Sequence, residues 1–292
     1  MYIRDIFAKK KWTLSFEFFP PKQDTDLEKL YETINELKEL NPDYVSVTYG
    51  AGGSRRDKTV GLASHIKNEI GLETIAHLTC VNSTKEDIQG VIDSLRENNI
   101  QNILCLRGDP PAGEENFTKT IGGFGYASEL TEFVRKSGDW CIGVAGYPEG
   151  HIEASSFEAD LANLKNKVSK GADFIVTQMF FVNDKFYRYL DELAKLGIDK
   201  PVIPGIFPIL NYKSVKRSAE LSGATIPEKL VTVLEKYQDD SQAVAEIGIE
   251  YAINQCEDLI KSGRIRGLHL YSMNKSYATK KIYEAIKQYI PR

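Results

Sequence analysis

Eight short apolar runs alternate along this chain with amphipathic helical patterns, and this alternation limits the folds that it can adopt. The first helical pattern places Leu27, Leu30, Tyr31, Ile34 and Leu37 on one face. Strands that alternate with helices form parallel βαβ units, and eight parallel strands close a barrel with a filled interior. The predicted strands are residues 13–18, 44–48, 74–78, 102–106, 141–145, 174–177, 202–205 and 268–271.

We therefore predict the α/β class and a (β/α)8 TIM barrel, formed as one domain over residues 1–292. Residues 223–262 predict an extra helical segment before the last strand. An open doubly wound sheet would favour a glycine-rich fingerprint after the first strand, but that strand runs into Phe18-Phe19-Pro20-Pro21. Ser83 with Glu86 predicts a capping box, and Gly171 predicts a helix C-cap.

Composition excludes several classes of protein. The net charge of −4 gives no basic stripe for nucleic acid, and no apolar run approaches membrane-spanning length. The first residues lack the apolar core of a secretory signal, so we expect a cytoplasmic protein. The cysteines form no CxxC pair, which predicts reduced thiols and no metal site: Cys80, Cys105, Cys141 and Cys256.

Polar groups follow several predicted strands, and the fourth strand ends abruptly in Arg107-Gly108-Asp109. Taken alone, this is equally typical of a strand-end turn with a solvated ion pair. In a barrel, however, the carboxyl ends of all strands meet at one mouth and can line a pocket. The polar residues predicted there are Glu17, Thr48, Tyr49, Gly50, Ala51, His77, Arg107, Gly108, Asp109, Tyr147, Gln178, Asn274 and Lys275.

Three of these side chains suit catalysis or recognition. Glu17 is flanked by phenylalanines, which predicts a raised pKa and a proton donor; the alternative is a solvated carboxylate. Asp109 beside Arg107 predicts a held, ionised carboxylate, or else a structural salt bridge. Gln178 offers an amide donor and an acceptor to a planar heterocycle, or else caps the backbone.

Two histidines allow similar alternatives. His77 is a candidate site residue or a satisfied core histidine, and no second ligand stands at metal spacing. His151, with Lys165 and Lys167 downstream, could meet phosphates, although the lysines alone are typical of a solvated helix face.

Ordered motifs from about residue 12 to the C-terminus carry a resemblance: FEFFPPK, VSVTYGAGGS, HLTC, LRGDPP, AGYPEGH, DLANLKNKV, GADFIVTQMFF, PGIFPI and LHLYSMNK. Together they resemble the 5,10-methylenetetrahydrofolate reductases, in the bacterial form that consists of the catalytic domain only. The resemblance implies a homo-oligomeric FAD-dependent TIM barrel that lacks a regulatory region and is not inhibited by S-adenosylmethionine. NADH or NADPH would reduce the flavin in a ping-pong cycle, and methylenetetrahydrofolate would then become the methyltetrahydrofolate used for methionine synthesis.

The resemblance also implies residue roles. Glu17 would be the general acid, and Asp109 the catalytic carboxylate near the flavin and the folate. The implied substrate contacts are Glu17, Asp109, Gln178, Tyr212 and Lys275. The implied FAD contacts are Thr48, Tyr49, Ala51, His77, Arg107, Gly108, Asp109, Ala127, Tyr147, His151, Ala154, Asp160, Asn163 and Lys167.

Some positions depart from the family pattern, and other functions are open. Leu210 stands where family members can have a glutamine that contacts folate. Asn166 stands where a basic residue can occur beside the FAD phosphates, and Lys275 stands where arginine is often found. One alternative is a proline-dehydrogenase-like barrel flavoenzyme. Another is a flavin- or folate-binding barrel subunit reduced by a partner protein rather than by NAD(P)H.

Overall fold

A parallel sheet closes into a barrel in the computed structural model, which describes residues 1–21, 23–49, 56–110, 113–114 and 117–291. Neighbouring strands pair in the order β7-β6-β5-β4-β3-β2-β1-β9-β8. The strands are β1 (Thr13–Phe18), β2 (Tyr44–Val47), β3 (Thr74–Thr79), β4 (Asn102–Leu106), β5 (Cys141–Gly146), β6 (Phe174–Thr177), β7 (Val202–Ile203), β8 (Gly205–Ile206) and β9 (Gly267–Tyr271).

The helices surround this sheet. They are α1 (Ile3–Lys9), α2 (Leu27–Lys38), α3 (Arg56–His65), α4 (Lys85–Glu97), α5 (Ala127–Ser137), α6 (Phe157–Ser169), α7 (Asn183–Lys195), α8 (Tyr212–Ser222), α9 (Glu228–Lys236), α10 (Ser241–Lys261) and α11 (Ser276–Ile286). A 3₁₀ turn (Asp24–Asp26) precedes α2, and a π-helical turn (Ile66–Ile70) follows α3. The predicted α/β barrel is confirmed.

The predicted seventh strand is divided in two. Val202 and Ile203 pair with β6, whereas Gly205 and Ile206 pair with β9. Pro204 separates the two segments; it has no backbone N–H to donate, but its carbonyl accepts from the N–H of His269 at 3.0 Å. This short divided strand therefore joins the two ends of the sheet and completes the ring.

Strand alternation separates a polar interior from an apolar outer layer at the upper end of the barrel. On β1, Phe16 and Phe18 pack outward in the main core against the helices. Ser15 and Glu17 face inward instead, where they meet side chains of β2 and β9. One face of β1 thus packs in the core, and the other presents polar side chains to the barrel interior.

Helix α1 closes the lower end of the barrel. Its Ile3, Ile6 and Phe7 pack with inward-facing Tyr44 and Phe174 in a separate apolar cluster. Because this end is filled mainly by apolar side chains, the candidate site residues lie toward the carboxyl ends of the strands.

The extra helical segment before the last strand is confirmed, since α9 and α10 lie between α8 and β9. The capping-box prediction was wrong by one residue: Thr84 and Asp87 form the box, and the Ser83 hydroxyl donates to the Val81 carbonyl. The C-cap of α6 is Lys170 and not the predicted Gly171; Gly171 is the next residue and ends the helix with a positive φ of 114°. Among the described residues, no helix is both long and apolar enough to cross a membrane.

Candidate active site

A buried polar cluster occupies the upper interior of the barrel, with Glu17 at its centre. The Ser46 hydroxyl donates to Oε2 of Glu17 at 3.2 Å. Nε2 of His77 and Nε2 of His269 each lie 3.5 Å from the same oxygen. The four side chains come from β1, β2, β3 and β9, which are neighbours in the sheet. Nδ1 of His269 is also 2.8 Å from the Ser15 hydroxyl, which fixes the ring in place.

The prediction that phenylalanines raise the pKa of Glu17 was wrong. Burial does raise it, but hydrogen bonds from His269 and Ser46 and the nearby His77 outweigh burial, and its pKa lies below the ordinary value. The pleat explains the error, because it turns Phe16 and Phe18 to the opposite face of the strand. Glu17 is therefore ionised near neutral pH in the free protein.

His77 is buried beside this carboxylate, yet its Nε2 makes no hydrogen bond within the part of the chain that the structure describes. Burial lowers its pKa to about 4, although Glu17 opposes the shift, so the imidazole is neutral at pH 7. A buried ring nitrogen without a partner is costly in a finished core, and it favours a ligand-facing role over the core-histidine alternative.

A cleft of about 630 Å³ lies at the same end of the barrel as this cluster, at the ends of β4 and β5 and along α6. It brings together residues that are up to 62 positions apart in sequence, from Cys105 to Lys167. The predicted cofactor residues in its wall are Arg107, Ala127, Tyr147, His151, Ala154, Asp160, Asn163 and Lys167. Asn166, the departure noted in the sequence, lines the same cleft.

Three cations line this cleft: Lys167, Arg107 and the exposed Lys119. Lys167 donates to the Ala145 carbonyl at 2.6 Å, and burial lowers its pKa to about 8 although Asp160 opposes the shift. Burial raises the pKa of Asp160, while Lys167 and His151 oppose that shift. A partly desolvated ammonium with a single nearby acid is suited to gain an anionic ligand.

Arg107 is the second cation, and its partner differs from the sequence prediction. Its guanidinium binds the carboxylate of Glu153 in a bidentate pair, at 2.5 and 2.6 Å. Asp109, which follows two residues later, is exposed, although its charge still acts on Arg107. The carboxylate that binds Arg107 is thus that of Glu153, 46 positions away, and not that of Asp109, two positions away.

Gly108 allows the chain to turn between these two charged residues. Its φ of 89° lies in the left-handed region, and an added Cβ would lie 3.0 Å from Cγ1 of Val81 and 3.1 Å from Cβ of Thr79. Only glycine fits this turn without moving the β3 end.

We expect Gly108→Ala to destabilise the protein by about 1–3 kcal/mol, because strain and overpacking act together. Gly90→Ala is the matched control, since Gly90 is exposed in α4 and a Cβ there meets nothing within 4 Å. The urea midpoint should fall in the first variant and rise slightly in the second. Equal midpoints for Gly108→Ala and wild type would show that the turn tolerates a side chain.

The other residues predicted at the mouth differ in their contacts and exposure. The amide oxygen of Gln178 accepts from the N–H of Met179 at 2.8 Å, which leaves its NH2 group for a ligand. Lys275 is exposed beside Asn274, whose side chain bonds the backbone of Phe19 at the end of β1. Thr48 receives the Thr59 hydroxyl on its carbonyl, Tyr49 packs on the main core, and Ala51 lies outside the described residues.

Tyr212 lies in an apolar cluster against which Met179 and Tyr271 also pack. It begins α8 and is buried in this cluster, which is formed with α9 and α10. Its hydroxyl donates to Oε1 of Glu235 at 2.6 Å. The predicted stacking of Tyr212 on a substrate stays a prediction.

Sequence reasoning missed three residues of the site: Ser46, Glu153 and His269. Alternation within the predicted second and last strands could have indicated Ser46 and His269, which share the inward face with their neighbours. No local signal points to Glu153, because it pairs with a residue 46 positions away.

Comparison with known proteins agrees with this architecture. The family model for methylenetetrahydrofolate reductase matches residues 2–287. The chain belongs to this family. The 5,10-methylenetetrahydrofolate reductase of Escherichia coli K12 is 36% identical over 263 residues, which cover 90% of this chain and 86% of that protein.

Other family members are longer. Methylenetetrahydrofolate reductase (NADH) 1 of Arabidopsis thaliana is 42% identical over 283 residues, which cover 93% of this chain but 48% of the plant protein. The chain spans about half the length of the plant and yeast relatives that it matches.

A solved structure extends the comparison of the fold. A Clostridium thermocellum protein described as binding two copies of 5-methyl-5,6,7,8-tetrahydrofolic acid superimposes with a TM-score of 0.61. The alignment covers 99% of both chains at 14% sequence identity, which supports the shared barrel and nothing finer.

Proposed function

We propose that this chain reduces 5,10-methylenetetrahydrofolate to 5-methyltetrahydrofolate with FAD and NAD(P)H, as a single catalytic domain over residues 1–292. The observation that carries this proposal is that a cationic cleft and a buried carboxylate occur at one barrel mouth. The chain that carries them belongs to the methylenetetrahydrofolate reductase family. A cationic cleft of about 630 Å³ lies at the same end of the barrel as a buried carboxylate flanked by two imidazoles. Binding alone would not require a carboxylate held in this way.

The described residues fit FAD. Lys167 and Arg107 are cations in the cleft wall, suited to a diphosphate, and Asp160 is an acceptor suited to a sugar hydroxyl. Buried His77 Nε2 and Arg107 Nε lack hydrogen-bond partners among the described residues, and a ligand could satisfy both. Bound FAD would supply hydride transfer in two half-reactions, accepting from NAD(P)H and donating to the folate.

Glu17 has the central chemical role in the proposal. A proton on its Oε2 would be delivered to the folate nitrogen as the five-membered ring opens to an iminium. Its pKa is lowered, so Glu17 has to be protonated before it can act as an acid. The Ser46 hydroxyl at 3.2 Å and two imidazole nitrogens at 3.5 Å hold Oε2 in place within the cluster.

The substrates would bind in turn at the other strand ends. Gln178 would donate its NH2 group to a carbonyl on the pterin or on the nicotinamide. Exposed Lys275 would bind a carboxylate of the folate tail, as a point charge without the planar fork of arginine. Tyr212, which packs in a cluster with Met179 and Tyr271, would stack on either substrate.

Asp109 is proposed to disfavour an anionic reduced flavin by its negative charge. We expect Asp109→Asn to raise the midpoint potential by on the order of 10–30 mV, the effect of one charge roughly 10 Å away at moderate dielectric. Glu114→Gln is a charge-matched control. A dye-equilibration titration of the FAD-loaded variants measures both, and an unchanged or lower potential in Asp109→Asn would contradict this role.

Product analysis tests the proposed reaction. Purified protein is incubated with FAD, NADH or NADPH, and methylenetetrahydrofolate, and 5-methyltetrahydrofolate is quantified by chromatography. We expect stoichiometric product with at least one of the two nucleotides. Product that forms only with a chemical reductant would instead support the alternative of a barrel reduced by a partner protein.

A further inference from the structure

The guanidinium of Arg107 is already bound to a carboxylate of the same chain, that of Glu153. Its two terminal nitrogens donate to the two carboxylate oxygens of Glu153 at 2.5 and 2.6 Å, and the ring of Phe117 lies 4.9 Å from its central carbon. Glu153 and Arg107 both line the cleft. The two terminal N–H donors of Arg107 that could bind a phosphate are therefore already bound to a carboxylate, which accepts two hydrogen bonds in a similar geometry.

Glu153 belongs to a turn from which its side chain can leave. The Ala154 N–H donates to the His151 carbonyl at 2.9 Å, and the Glu153 N–H donates to Nδ1 of His151 at 3.1 Å. These backbone bonds do not involve the carboxylate, and 43% of the Glu153 side chain is exposed. Rotation into water would therefore break the ion pair and leave the turn intact.

The balance of interactions permits such an exchange. Partly exposed ion pairs contribute little to stability, whereas a diphosphate in the same cleft would meet Arg107 and Lys167 together. The charge of Asp109 also acts on Arg107, but Asp109 is not its bidentate partner. Once Glu153 has rotated away, the two terminal nitrogens are available to a ligand.

We propose that Glu153 is an internal competitor for the diphosphate of the cofactor: its carboxylate occupies Arg107 in the free protein and is displaced on binding. This inference rests on the proposed use of FAD. It makes Glu153 a residue that weakens cofactor affinity and that sets how readily the free protein takes up a dinucleotide.

FAD binding to Glu153→Gln tests the proposal. We expect its affinity, followed by quenching of flavin fluorescence, to exceed that of wild type by about three- to tenfold, since the competing carboxylate is gone. Glu158→Gln is the matched control. It removes the same charge at the start of α6, where Glu158 is hydrogen-bonded with Ser156.

A gain in Glu153→Gln no larger than in Glu158→Gln, or weaker binding, would overturn the proposal. The second result would show that Glu153 positions Arg107 for the ligand. ADP is the second probe, because it carries a diphosphate and no flavin. If wild type binds no FAD, the proposed cofactor fails; tighter ADP binding by Glu153→Gln would then still support competition for a diphosphate, and unchanged ADP binding would refute it.

Discussion

Glu17→Gln should still bind FAD and still be reduced by NADH, but its rate of folate reduction should fall by about 10²- to 10⁴-fold. The amide nearly matches the carboxylate in shape and can keep a hydrogen bond with Ser46, but it cannot deliver a proton as an acid. Stopped-flow absorbance measures the two half-reactions separately on the same protein. The expected result is a selective loss in the second.

The first half-reaction is the internal control for this variant, since a general disturbance of the site would slow both. Glu17→Asp is the conservative variant, and it should recover part of the lost rate because it retains a carboxyl group. Normal folate turnover by Glu17→Gln would show that the proton comes from another group.

Lys167→Met should weaken FAD binding by about 10- to 100-fold, the value of a charge-assisted hydrogen bond to a phosphate. Burial lowers the pKa of Lys167 to about 8, so the free protein already loses this charge as the pH rises through that value. An anionic ligand favours the protonated form, and wild-type affinity should therefore fall between pH 7 and pH 9. In Lys167→Met that fall should be absent.

Lys165→Met is the matched control, because Lys165 lies on the same helix but is exposed. It should change FAD affinity little and keep the wild-type pH profile. Fluorescence titrations at pH 7, 8 and 9 compare the three proteins. A pH-dependent loss that persists in Lys167→Met would assign the titration to a different group.

The barrel was predictable because its signals are local and repeated. Thr13–Phe18, Asn102–Leu106 and Phe174–Thr177 were predicted to the residue, since each is a short apolar run bounded by helix or turn signals. The division of the seventh strand at Pro204 depends on which neighbours its two halves pair with, and the run itself gives no information on that.

The positions of the candidate residues were more predictable than their electrostatics. Arg107 and Tyr147 were placed at one mouth by the rule that parallel strands end together, and they line one cleft. Lys167, on α6, lines the same cleft, but only the family resemblance implied that it contacts the cofactor. The shift of the Glu17 pKa and the Glu153 partner of Arg107 arise from side chains distant in sequence. Pairings of that kind follow from barrel closure and not from neighbouring residues.

An anaerobic absorbance titration tests the central claim most directly. The FAD-loaded protein is titrated first with NADH and then with methylenetetrahydrofolate. We predict that the flavin absorbance bleaches with NADH and returns stoichiometrically with the folate. A flavin that neither NADH nor NADPH bleaches, or a reduced flavin that the folate does not reoxidise, would contradict the proposed reaction.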